Sequence, residues 1–194
     1  ICSRCLLIEG GRVVADGKTE AVVEAYLNQD LENLNSRYQA NGAEKFTPSQ
    51  KVYLLEAEML NDEGENRESL RYREPFSVRL VWKQQETIPA VSYSLRFYDK
   101  RQRLLFAVNT ENSDLEIEHQ GVHEVMCRFD HNVLVPGDYY ITVSCSIRPH
   151  TLIQRIDPCL SFSVQNIPYQ NHSLFNVAES PIFSVPSSWI QKAR

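Results

Sequence analysis

No stretch of this 194-residue chain approaches the roughly 20 consecutive apolar residues that a membrane-spanning helix needs. No run of Lys and Arg occurs either, and the formal charge is −5 with a pI of about 5.6. That balance argues against nucleic acid and anionic membrane as partners. The first residues show no basic segment followed by an apolar stretch, so no secretion signal is expected. The five cysteines (Cys2, Cys5, Cys127, Cys145 and Cys159) are odd in number, which fits reduced thiols in a cytosolic protein better than a disulfide framework. Cys2-x-x-Cys5 is half of a zinc or redox motif, but no second pair and no His at ligand spacing follow, so both read as small apolar strand residues.

Signatures of catalysis are equally scarce. The chain has no G-x-x-x-x-G-K-[ST] phosphate loop and no Gly-rich strand-to-helix turn, so it is not expected to hydrolyse ATP by itself. A G-x-S-x-G nucleophile elbow is missing too. His119, His123, His131, His150 and His172 are scattered, and His119-x-x-x-His123 runs into a strand rather than along one helical face, so they read as surface histidines. Glu111, Asp114, Glu116 and Glu118 could offer oxygens to calcium, but they lack an ordered Asp-x-Asp-x-Asp-Gly pattern and read as a solvated loop. Glu56 and Glu58 are adjacent outward positions on one strand with no partner for a glycosidase-type pair. The chain is therefore expected to be no enzyme and to need no cofactor and no metal.

What is present comes in parts. Cys2 to Gly17 reads as two short strands around the Gly10-Gly11 turn, and Thr19 to Leu27 as a short helix. Residues 28–50 are polar and read as a fraying helix end and a linker. From Lys51 the periodicity becomes twofold. Strands are expected at Val52 to Leu60, Phe76 to Lys83, Val91 to Tyr98, Leu104 to Val108, Val122 to Phe129, Tyr139 to Ile147 and Leu160 to Val164. Short alternating strands with turn signals between them predict an all-β, immunoglobulin-like antiparallel β-sandwich over residues 51–166. Leu134-Val135-Pro136-Gly137-Asp138-Tyr139 has the form of a tyrosine corner. The tail, residues 167–194, is rich in proline (Pro168, Pro181, Pro186) and large apolar groups (Tyr169, Phe175, Ile182, Phe183, Trp189, Ile190). It must fold back or dock on another chain, and Phe183-Ser184-Val185 could pair along a sheet edge.

The segment running from Leu7-Ile8-Glu9-Gly10-Gly11-Arg12-Val13-Val14 to Thr19-Glu20-Ala21-Val22-Val23-Glu24-Ala25-Tyr26 resembles the closing hairpin and helix of ABC-transporter ATPase domains, over residues 1–27. Local patterns follow in order: Asp62-Glu63-Gly64, Arg73-Glu74-Pro75-Phe76, Phe97-Tyr98-Asp99, Asn109-Thr110, the Leu134 to Tyr139 run, and Asp157 before Leu160-Ser161-Phe162-Ser163-Val164. The whole is similar to the ATP-binding subunits of O-antigen polysaccharide ABC exporters that carry a C-terminal carbohydrate-binding domain. One departure is Arg73 or Glu74 where that family has a glycine. The resemblance implies recognition of a lipid-linked O-antigen polysaccharide in the cytosol, a homodimer with exchange of a C-terminal strand, and a transmembrane exporter subunit as partner.

Sugars present hydroxyls and flat C–H faces, so a site for them needs planar donors and acceptors with an aromatic ring. If the strands of Arg79, Arg96 and Tyr140 share a sheet, their outward faces carry Arg79, Ser94, Arg96, Tyr98, Tyr140, Thr142, Ser144 and Arg148, the candidate carbohydrate site. Asn109, Thr110 and the neighbours of Trp82 are rival positions, while Trp82 itself reads as core. The alternative function is a sandwich that only dimerises or couples the transporter ATPase.

Overall fold

The computed structural model describes residues 2–28, 34–40, 51–112, 120–147, 151–170, 173–176 and 183. At the N-terminus, β1 (Arg4–Glu9) and β2 (Arg12–Lys18) form a hairpin closed by Gly10 and Gly11, at φ of 53° and 79°. Two successive left-handed residues suit the twist of a tight hairpin, and glycine adopts them without steric cost. Helix α1 (Thr19–Asn28) follows, and the Thr19 hydroxyl donates to the Cys2 carbonyl at 2.6 Å.

The remaining strands are β3 (Arg37–Gln39), β4 (Val52–Asn61), β5 (Ser69–Tyr72), β6 (Phe76–Gln84), β7 (Val91–Asp99), β8 (Leu104–Asn109), β9 (Gly121–Phe129), β10 (Gly137–Ile147) and β11 (Thr151–Pro168). One sheet has the order β5-β11-β10-β7-β8 and the other β3-β4-β6-β9. All pairings in these two sheets are antiparallel except β5 with β11. The two inner faces meet over a core in which Trp82 stacks on Tyr93 at 4.5 Å, and Phe97 touches Phe76, Phe106, Phe129 and Phe162. The expected β-sandwich is therefore observed, with Trp82 buried at its centre.

Three elements depart from the expected strands. Arg37–Gln39, inside the stretch read as linker, pairs with β4, and the Ser36 carbonyl accepts from Met59 N at 2.8 Å. Ser69–Tyr72 is a strand too short to show a period. Strand β11 begins at Thr151 rather than Leu160 and passes through Pro158, whose peptide bond with Asp157 is cis. It does so by a bulge: Ile141 faces Leu160 and Val143 faces Ile156, so Asp157, Pro158 and Cys159 together oppose Thr142. Proline has no N–H to give, and an interrupted ladder is where a strand tolerates it.

The tyrosine corner is formed, since the Tyr139 hydroxyl donates to the Val135 carbonyl at 2.6 Å. Tyr139→Phe leaves that carbonyl without its partner and is expected to cost about 1–2 kcal/mol in a denaturant melt. Arg73 sits at φ 67°, a left-handed backbone that favours glycine, with its guanidinium 5.5 Å from the Tyr72 ring centroid. In the tail, the Asn166 amide clamps Phe175 through its N–H (2.9 Å) and carbonyl (3.2 Å), and Phe175 packs edge-on against Tyr72. Phe183 forms a single bridge with Leu134, its ring 6.2 Å from that of Phe106. Ile182, Ser184, Val185, Trp189 and Ile190 lie outside the described residues.

Candidate carbohydrate site on the outer sheet face

Alternation along β7 and β10 turns one set of side chains into the core and the other onto the outer face of the five-stranded sheet. The register then lines the outer set up in rows. Ser94 of β7 faces Ser144 of β10, Arg96 faces Thr142, and Tyr98 faces Tyr140. Beyond β7, Asn109 and Ala107 of β8 extend the first two rows. Beyond β10, Arg155 of β11 extends the first, Asp157 reaches the second from the bulge, and Ser161 extends the third.

The rows are tied internally. The Ser94 and Ser144 hydroxyls lie 2.7 Å apart, and Arg96 Nη1 donates to Ser144 Oγ at 3.3 Å. The Thr142 hydroxyl donates to Asp157 Oδ1 at 2.6 Å, and the other oxygen of Asp157 takes the Arg155 guanidinium. The rings of Tyr98 and Tyr140 stack 5.1 Å apart and 3° from parallel. Burial, with help from Asp157, Tyr98 and Asp99, pushes the Tyr140 hydroxyl up to about 12, so it stays a protonated donor.

Small residues make the floor and long ones the walls. Ser92, Ser94, Ser144 and Asn109 line a groove of about 370 Å³ together with Arg96, Arg155 and Glu111. A larger cavity, about 700 Å³, opens on the same face beyond the tyrosine row. Both volumes fall in the range of small-molecule sites. Arg96 is half-buried, and its one hydrogen bond among the described residues is to a neutral hydroxyl, which leaves most of its donors for a ligand.

Of the eight candidate residues, the structure brings six together: Ser94, Arg96, Tyr98, Tyr140, Thr142 and Ser144. Arg79 does not share their sheet. It lies on β6 of the four-stranded sheet, where its guanidinium contacts Glu124 (2.7 Å), Glu58 (3.0 Å) and Glu56 (3.2 Å). The bond to Glu124 raises its pKa against the opposing effect of burial, and Glu56 and Glu58 add to the rise, so Arg79 is committed as a cation to that cluster. The same contacts occupy Glu56 and Glu58. Arg148 lies outside the described residues, as do Asp114, Glu116, Glu118, His119, His150 and His172. His123 is not a surface histidine: it is half-buried, with Nε2 2.8 Å from the Tyr93 hydroxyl. Sequence reasoning missed Arg155 at the groove and the Asp157 that holds it, because the segment before Pro158 carries turn-like composition. Asn109, a rival position in the sequence, ends β8 and lines the same groove.

Among the described residues no helix is long and apolar enough to cross a membrane. No curated protein sequence matches the chain significantly. A solved structure described as the crystal structure of the C-terminal domain of wzt matches with a TM-score of 0.59 at 11% identity, covering 80% of this chain and 87% of that one. At that identity the likeness speaks for the fold alone. The family model for the Wzt C-terminal domain matches residues 47–177. With well over half its length matched, the chain belongs to the Wzt C-terminal domain family.

Proposed function

We propose that the outer-face groove binds a saccharide, and that the chain is the non-catalytic, glycan-reading end of the ATP-binding subunit of an O-antigen exporter. The observation that carries this reading is the row arrangement itself. Serine hydroxyls and the Asn109 amide line a groove together with two arginines, beside a stacked tyrosine pair. Hydroxyl-rich rings with apolar C–H faces are recognised by that combination of planar donors, hydroxyls and aromatic surface. In this reading the lipid-linked polysaccharide is held at the cytoplasmic face of the inner membrane before the transmembrane subunit moves it. The exposed apolar side chains of the N-terminal hairpin, Leu6, Ile8, Val13 and Val14, support a unit that packs on the rest of an ATPase domain. The Phe183 bridge to Leu134 supports a tail able to join a sheet edge, its own or that of a partner in a homodimer.

The test is calorimetric titration of the purified chain with the O-polysaccharide of its own source strain, against an unrelated O-polysaccharide. Selective, saturable binding is expected, weakened at least tenfold by Arg96→Ala and by Tyr98→Ala. Binding untouched by both changes would move the site off this face. No binding of either glycan, with a dimer present in solution, would favour a purely dimerising or coupling role.

A further inference from the structure

The larger cavity, about 700 Å³, has a wall that the groove lacks: Leu34 and Asn35, from the segment between α1 and the sandwich. The segment is fastened to both sheets. The Asn35 carbonyl accepts from Ser161 N of β11 at 3.0 Å, while the Ser36 carbonyl accepts from Met59 N of β4 at 2.8 Å. The Ser36 hydroxyl also donates to Asn66 Oδ1 at 2.9 Å.

The floor of this cavity continues the rows of the groove. Tyr140 faces Ser161, and Asp138 faces Ser163. Ser163 in turn faces Ser69 of β5. From Ser144 in the groove to Tyr140 is four residues along β10, about 14 Å at ~3.4 Å per residue. A single sugar ring cannot fill both sites, but successive residues of one chain can. The lining also differs in character. Lys100, Glu68 and Asp138 take part in no ion pair among the described residues, and they surround hydroxyls rather than a cluster of one sign. Carboxylates that accept and an ammonium that donates suit the hydroxyls of an uncharged sugar. With one cation and two carboxylates, the lining opposes an anionic sugar.

Resting on the glycan reading above, we propose that this cavity is a second saccharide subsite. It takes uncharged sugar residues further along the chain whose other part lies in the groove, and its occupancy tightens the hold of the sheet on the 34–36 segment. A ligand that touches Leu34 or Asn35 adds contacts between that segment and β11.

The experiment compares a terminal disaccharide and a terminal hexasaccharide cut from the source strain's O-polysaccharide, with the full chain, by titration and by amide hydrogen exchange. The hexasaccharide is expected to bind at least tenfold more tightly and to slow exchange at the amides of residues 36–40. Ser163→Trp, which fills the cavity from its floor, is expected to bring the hexasaccharide down to the disaccharide's affinity and to leave the disaccharide unchanged. Should the tryptophan variant not fold, Lys100→Ala with Asp138→Ala at exposed positions is expected to give the same selective loss. Equal affinity for the two lengths, or a hexasaccharide indifferent to these changes, would overturn the second subsite and leave the groove reading standing. Unchanged exchange at residues 36–40 would overturn the tightening of that hold. Failure of both oligosaccharides to bind would overturn the glycan reading, and the subsite with it.

Discussion

Phe97→Ala is expected to remove about 3–5 kcal/mol of stability, while Arg96→Ala, one residue away, is expected to cost no more than about 1 kcal/mol. Phe97 is fully buried, with its ring stacked on Phe106 at 4.4 Å and edge-on to Phe76, Phe129 and Phe162. Truncation leaves a cavity bounded by side chains from both sheets, which cannot all move in to fill it. Domains of this kind are stable by about 5–15 kcal/mol, so the loss is a large part of the total. Arg96 points the other way, and its one bond among the described residues is to Ser144, whose hydroxyl keeps Ser94 as partner when the arginine is gone. Denaturant melts of the two variants check the stabilities, and glycan titration should show the reverse order: Arg96→Ala folded but poor at binding. A comparable stability loss in both would mean that Arg96 serves the fold rather than the groove.

That contrast was legible in the sequence because period two along Val91 to Tyr98 assigns faces without knowledge of the partner strands. The limit of the same logic is Arg79. Alternation along Phe76 to Lys83 shows which side of its strand Arg79 occupies, but not which sheet the strand joins. That depends on pairing with β4 and β9, neither of them the next strand along the chain. Strand β10 was read for its position, yet its burial on both faces, Thr142 and Ser144 included, follows from its place inside the sheet and not from its pattern. The tyrosine corner was recognisable because its parts are close in sequence. Strand β3 and the first half of β11 were not, since the three residues Arg37-Tyr38-Gln39 are too few to show a period and Arg155, Asp157 and Pro158 resemble a turn. Arg155 of the groove and the Asp157 that holds it are lost with them.

The bulge gives the second large effect. Asp157→Ala is expected to cost about 1–3 kcal/mol, because the Thr142 side chain is wholly buried and its hydroxyl would lose its carboxylate partner. It also frees the Arg155 guanidinium, which that carboxylate holds at the groove wall. A binding group held in place beforehand loses less freedom when the ligand arrives, so glycan affinity is expected to fall about tenfold, equivalent to ~1.4 kcal/mol. Asp157→Asn separates the two roles. Its amide oxygen still accepts from Thr142, and the lost ion pair is partly exposed, so the stability cost should stay below about 1 kcal/mol. If orientation of Arg155 is what the groove needs, the asparagine variant binds as weakly as the alanine variant despite its near-normal melt. If the asparagine variant binds like the wild type, Asp157 serves the site through the buried Thr142 alone, and the ion pair to Arg155 plays no part in binding.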